Sequence, residues 1–184
     1  SIVMKTPFEH FKTDTSVVQI EENLYEGNLS DRWSIGKTPN GGYTMALAAK
    51  AISESLNHND PLAITANYLN RLNFGKVLVT VEVLPFTKSL SSARATMLQD
   101  DEIKVIFTAT FTDFLKSKGL NKSFRQVPAF VDYEDCIFHP FKEGFNPGLE
   151  KFIEKKYCPD SVWWEEKKKD KPNKATLNLY MSWP

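Results

Sequence analysis

Apolar and polar positions follow two regimes along this chain. From about residue 16 to 114 they keep regular periods, and after about 116 they do not. The clearest regular stretch is KVLVTVEVLPF, residues 76–86. Val77, Val79, Val81 and Val83 share one face there, and Leu78, Thr80, Glu82 and Leu84 share the other. A period of two marks a β-strand. LAITANYLNRL (62–72), LSSARATMLQ (90–99) and EIKVIFTATFTDF (102–114) read the same way. Their connections are too short for parallel crossovers, so the pattern predicts an antiparallel meander. The acidic joint QDDE suits a hairpin with Gln99 in its turn, and NFG at 73–75 suits a tight turn. Upstream, SVVQIEENLYEGNLS (16–30) predicts one or two strands, with Glu26-Gly27 near their junction.

Between these strands the period changes. DRWSIGKTPN reads as a loop, punctuated by Gly36, Pro39, Asn40 and the Gly41-Gly42 pair. A helix is predicted from Tyr43 to about Asn57, with Thr38 or Asn40 as its cap. Met45, Leu47, Ala48, Ala49, Ala51, Ile52 and Leu56 cover most of its circumference, which leaves Lys50 and Glu54 on the wettest side. An amphipathic surface helix would show a narrower stripe, so this one is wrapped by other elements. A helix buried by one curved antiparallel sheet is an α+β arrangement.

After residue 116 aromatics and prolines occur without a period. Phe124, Phe130, Tyr133, Phe138, Phe141 and Phe145 need a surface to cover, so this is an ordered crossing segment rather than a free tail. LEKFIEKKY reads as a short helix, EEKKKDKPNK as a solvated loop and ATLNLYMSWP as a final strand. Trp163-Trp164 reads as packing against the sheet.

Composition narrows the function classes. Lys+Arg and Asp+Glu number 23 each, which removes the bulk electrostatic argument for a nucleic-acid partner. No apolar run approaches the roughly 20 residues that cross a bilayer, and the first ten residues lack a signal-peptide core. The expectation is a cytoplasmic protein without a membrane partner. Cys136 and Cys158 lack metal-site spacing and read as reduced thiols; the three histidines are scattered, so no metal site is expected.

Candidate chemistry gathers at the predicted helix start. Gly41 and Gly42 serve either as a turn and close-packed helix start, or also as a gap through which a ligand meets backbone N–H groups. Asn40 reads first as a cap and Tyr43 first as a core residue, with ligand contact the second reading for each. His58 and Asp60 invite a general-base story but read as solvated loop residues. Asn67, Asn70 and Arg71 mark a sheet edge, a subunit contact or a pocket wall. No nucleophile motif is present.

The ordered series Trp33, PNGGY opening an alanine-rich helix, DPLAITANYLNRLNFGKVLVTVEVL and SSARATMLQDDEIKVIFTATF resembles the thioesterase-like superfamily of the hot-dog fold, most closely the type II acyl-CoA thioesterases. The resemblance covers residues 14–115. It implies a central helix wrapped by an antiparallel sheet, two such units pairing edge to edge, and acyl thioesters bound near a helix start. Asn40, Gly41, Gly42 and Tyr43 are then the substrate-binding candidates, no cofactor is implied, and a homo-oligomer or a paired second unit is expected. Residues 14–115 are expected to form one hot-dog unit. Residues 116–184 are expected to form a crossing segment and the first strand of a second, incomplete one. In the type II enzymes the catalytic acid lies near the start of the second unit's helix, a position expected beyond Pro184. The matching place here holds Gly41-Gly42 and no carboxylate. The expected function is hydrolysis or binding of acyl-CoA thioesters; the alternative is a non-catalytic module that binds them or serves as an assembly half.

Overall fold

The computed structural model describes residues 5–120, 122–162 and 177–184, in two compact units, 1–120 and 121–184. The Trp163–Trp164 pair and the charged run after it lie outside the described residues.

The first unit opens with a helix that no apolar period announces, α1 (Pro7–Asp14). Its signal is local. Thr6 Oγ1 accepts the Glu9 N–H at 3.2 Å, and the Glu9 carboxylate accepts the Thr6 N–H at 2.7 Å. That capping box, with proline at the first helical position, is readable as T-P-F-E. Next come β1 (Val17–Glu21) and β2 (Leu24–Leu29). They turn at Glu22-Asn23, where Asn23 has φ 57°, and not at Glu26-Gly27. The predicted loop that follows contains a small hairpin, β3 (Ser34–Ile35) and β4 (Thr38–Pro39), turned at Gly36 with φ 61°.

The central helix α2 (Gly41–Ser55) starts two residues before its apolar pattern does and takes both glycines into its first turn. Asn40 is its cap: Oδ1 accepts the Tyr43 N–H at 3.1 Å. Leu47, Ala48, Ala51 and Ile52 have no exposed surface, and Lys50 and Glu54 pair at 2.9 Å on the wet side. Gly27 lies inside β2 because α2 presses on it. A Cβ there would stand 2.9 Å from both Leu47 methyl carbons.

The strands that follow are β5 (Asp60–Tyr68), β6 (Gly75–Val83), β7 (Ser91–Gln99) and β8 (Glu102–Thr112). The sheet order is β1-β2-β6-β7-β8-β5, and α2 touches all six strands. The predicted four-strand meander is therefore only partly formed. β6, β7 and β8 are consecutive neighbours, but β5 pairs with β8 at the far edge and β6 pairs with β2. The short link 69–74 suffices because three interstrand steps span only about 14 Å, whereas six extended residues reach about 20 Å.

Two details fix the ends of these strands. Asp100 and Asp101 both have positive φ (56° and 59°), the twist a two-residue hairpin requires. Gln99, expected in that turn, is instead the buried last residue of β7. Its amide donates to the carbonyls of Asn73 (3.0 Å) and Lys76 (3.1 Å), and its oxygen accepts the Asn73 N–H at 2.7 Å.

The second unit has a three-stranded antiparallel sheet ordered β11-β10-β9: β9 (Ile137–Phe138), β10 (Glu154–Tyr157) and β11 (Leu179–Ser182). The segment expected as a short helix forms a 3-10 turn, Gly148–Phe152, followed by β10. The Lys155 ammonium pairs with Glu150 at 2.6 Å, and the rings of Phe130 and Tyr133 both meet Tyr180 edge-on. Phe124 and Phe145, expected to cover a surface, stand exposed.

Ala48 faces the sheet without exposed area, so Ala48→Leu is expected to cost about 1–3 kcal/mol by overpacking, read from urea unfolding. The buried Tyr43 phenol yields a second expectation. Burial first, and the Asp14 carboxylate second, push its pKa up to about 12, against the opposing effect of the Ser30 N–H. A raised folded-state pKa means stability is full below about pH 10 and lost as pH rises toward 12. Tyr43→Phe should flatten that alkaline loss in a stability–pH series. At neutral pH it should cost about 1–3 kcal/mol, because it strands the buried groups the phenol bonds.

Candidate functional site

The sequence brings three segments to the start of α2. The first is β4, which leads into the cap. The second is the first turn of the helix, where two glycines leave the backbone bare. The third is the end of β5 with the link after it. Thr38 Oγ1 donates to the Leu72 carbonyl at 3.0 Å and ties the first segment to the third. Between them lies a cavity of about 390 Å³, lined by Thr38, Pro39, Gly41, Thr44, Tyr68, Leu69, Asn70, Arg71 and Leu72.

Of the four sequence candidates, Gly41 lines this cavity, and Asn40, Gly42 and Tyr43 are not among its lining residues. The Asn40 side chain is committed to the cap. Tyr43 is a core residue: its hydroxyl donates to the Asp14 carbonyl at 2.8 Å and accepts the Ser30 N–H at 2.9 Å. Trp33 Nε1 donates to the Asp14 carboxylate at 2.9 Å, and Phe11 meets the Trp33 ring edge-on at 5.1 Å. The first segment of the chain is thereby fastened to the base of α2.

The helix start supplies the donors. The first four N–H groups of a helix have no partner within it. The Asn40 N–H donates to the Trp33 carbonyl at 2.8 Å, and the Tyr43 N–H to the Asn40 side chain. The Thr44 N–H makes the first bond of the helix itself, to the Asn40 carbonyl at 3.0 Å. The N–H groups of Gly41 and Gly42 stay unclaimed among the described hydrogen bonds, at the positive end of the helix dipole. A Cβ at Gly42 would meet only Asn40 Oδ1, at 3.1 Å, whereas one at Gly41 would stand 3.0 Å from the Tyr68 hydroxyl oxygen. The Gly41 carbonyl accepts from the hydroxyls of Tyr68 (2.6 Å) and Thr44 (2.8 Å). Asn70 and Arg71 form part of the cavity wall, while Asn67 lies on β5 outside the lining.

Sequence reasoning missed Thr44 and Tyr68. Thr44 was within reach of it, since a threonine three residues after Gly41 lies on the same helix face. Tyr68 was not, because its place beside Gly41 depends on β5 crossing to the far edge of the sheet. His58 and Asp60 do not act on one another. The His58 ring bonds Ser91 Oγ at 2.5 Å and the Lys88 carbonyl at 3.1 Å, and Asp60 accepts the Phe114 N–H at 2.7 Å. Among the described residues, no carboxylate or imidazole lines the cavity at α2. Among the described residues no cluster of three or more potential ligands could hold a metal ion, and no helix is long and apolar enough to cross a membrane.

Residues 29–112 match the family model of the acyl-CoA thioesterase N-terminal domain. A curated relative, the thioesterase-like protein TwmA of Talaromyces wortmannii, is 33% identical over 92 residues, which is 48% of this chain and 26% of that protein. Among solved structures, a hot-dog protein of unknown function from Alicyclobacillus acidocaldarius superposes with a TM-score of 0.76 at 19% identity. It covers 94% of this chain and 61% of its own. The acyl-CoA thioesterase II TesB2 of Mycobacterium marinum gives 0.69 at 15% identity, over 94% of this chain and 60% of its own. The chain thus spans about a quarter of the curated relative and about three fifths of these two structures. The structural likeness establishes the fold, an antiparallel sheet around a central helix. Residues 29–112 are thus similar in sequence to the acyl-CoA thioesterase N-terminal domain, and the chain has the hot-dog fold.

Proposed function

We propose that this domain binds an acyl-CoA-type thioester at the start of α2 and hydrolyses it when a carboxylate is supplied from outside the cavity's own lining. The observation that carries this reading is the cavity against Gly41, at a helix start with two unclaimed N–H donors. A thioester carbonyl lodged there is polarised. The oxyanion formed on water attack gains more from the same donors than the ground state does, and that difference is catalysis. The Tyr68 and Thr44 hydroxyls strengthen the Gly42 donor, because they draw charge toward the carbonyl of the same peptide. Pro39, Leu69 and Leu72 offer an apolar wall to the acyl chain, and Arg71 offers a cation to the anionic carrier.

None of the described lining residues is a carboxylate or imidazole base, and the sheet suggests where one would come from. β5 is an edge strand, and Leu62, Tyr68 and Leu69 stand exposed on it or just past it. Edges of this kind are normally paired. Tyr68 and Leu69 belong to both the edge region and the cavity, so a second hot-dog unit docked along β5 would bring its residues to the thioester. That unit is either a second copy of this chain or one of which residues 116–184 form the crossing segment and opening strand. The lack of a lining carboxylate favours a second reading for the isolated chain, a module that binds acyl thioesters or assembles without turning them over.

Calorimetric titration of a medium-chain acyl-CoA tests the first reading. Gly42→Val should stay folded by circular dichroism and lose about tenfold or more in affinity. Equal affinity in both folded proteins would make the glycines purely structural. Hydrolysis by the chain alone should be weak or undetectable. Light scattering should give about twice the 21.0 kDa chain mass, and a stable monomer with no second unit beside it would sink the edge-pairing idea.

A further inference from the structure

The two cysteines of this chain lie 22 positions apart in sequence, yet the second unit brings their sulfurs to 3.7 Å. Both thiols are free and buried, Cys136 at 7% exposure and Cys158 at 2%. Their meeting follows from strand register. β9 and β10 pair antiparallel, with Ile137 opposite Tyr157 and Phe138 opposite Lys156. One step further along the same ladder places Cys136 opposite Cys158.

The hydrogen bonds identify what kind of position this is. The His139 N–H donates to the Lys155 carbonyl at 2.9 Å, which makes that facing pair a hydrogen-bonded one. Such pairs alternate along an antiparallel ladder with non-hydrogen-bonded pairs, so three steps away Cys136 and Cys158 form one of the latter. The Cys158 N–H agrees: it points the other way and donates to the Asn178 carbonyl at 3.0 Å. At non-hydrogen-bonded pairs the Cα atoms approach to about 4.5 Å and the side chains lie closer together. That separation falls within the range a disulfide spans without backbone movement.

We propose that Cys136 and Cys158 are a reversible oxidation site, a dithiol that a small-molecule disulfide converts to an intrachain disulfide stapling β9 to β10. β9 is only two residues long and holds to β10 by two strand pairs and the His139 bond just past them, so it has much to gain from a covalent tie. Burial, together with the hydrogen bond to Cys158, holds the Cys136 thiol above its ordinary pKa, so its attack is slow. Cys136, the more exposed of the two, reacts first. It loses its proton to solvent and its thiolate attacks one sulfur of oxidised glutathione. The glutathione S–S bond breaks, one glutathione thiolate leaves, and a mixed disulfide remains on Cys136. The Cys158 thiolate then attacks Cys136 Sγ and expels the second glutathione. The two cysteines are oxidised, one glutathione disulfide is reduced to two thiols, and reduced glutathione in excess reverses both steps.

The test uses the full chain, folded, in oxidised glutathione. Expected are loss of both titratable thiols, an intact mass lower by two hydrogens, and a Cys136–Cys158 linked peptide after non-reducing digestion. The extent of linkage should not depend on protein concentration. The melting transition of the second unit should rise on the order of 10 °C and return on reduction. Cys136→Ser and Cys158→Ser should each lose the linked peptide and the rise. Two results would overturn the proposal: both thiols staying free in the folded chain while reacting once it is unfolded in urea, or oxidation that stops at glutathione adducts or links separate chains.

Discussion

One helix must be enclosed here before anything else can form. α2 carries apolar side chains around most of its surface, and its five fully buried positions include two alanines. Alanine in a core is a statement about distance, because it lets a neighbouring backbone come close. A flat sheet would cover one side of such a helix and leave the rest wet. Contact with all six strands requires the sheet to curl, and the curl brings its two halves within reach of a six-residue link. The crossing of β5 to the far edge is therefore a product of enclosing α2.

The candidate site is a by-product of the same crossing. The link after β5 passes the start of α2, and Gln99 anchors its far end with three hydrogen bonds from within the sheet. Of the four N–H groups a helix start leaves over, that of Asn40 goes to the Trp33 carbonyl and that of Tyr43 to the Asn40 side chain. What stays open is bounded by Tyr68 on one side and by bare glycine backbone on the other. Rigid elements thus hold a polar opening without spending a functional side chain on it. A carboxylate would have to come from elsewhere, as none of the lining residues provides one.

Much of this was legible in the residues. Strand faces in the Val77–Val83 run, the hairpin at Asp100-Asp101 and the wet side at Lys50 and Glu54 are local patterns, and the structure repeats them. The Asn40 cap was one of two named options. Pairing order was not legible, because short connections look alike whether they turn back or cross. The role of Tyr68 inherited that gap. α1 went unread for the opposite reason: its signal is a four-residue cap and not a period. In the second unit the aromatics suggested burial that Phe124 and Phe145 do not have, since aromatic content carries no direction. The meeting of Cys136 and Cys158 depends on the register of a two-residue strand, which no period reveals.

The contact between Gly27 and Leu47 has an evolutionary meaning. Any side chain at position 27 needs the space that the Leu47 methyls fill, and Leu47 is itself walled in on every side. Neither position can drift alone: gaining a methyl at 27 without trimming 47 overpacks, and trimming 47 first opens a void. Among descendants of this sequence the two positions should vary as one joint character, glycine with leucine or a larger residue with a smaller one, across a strand and a helix twenty residues apart.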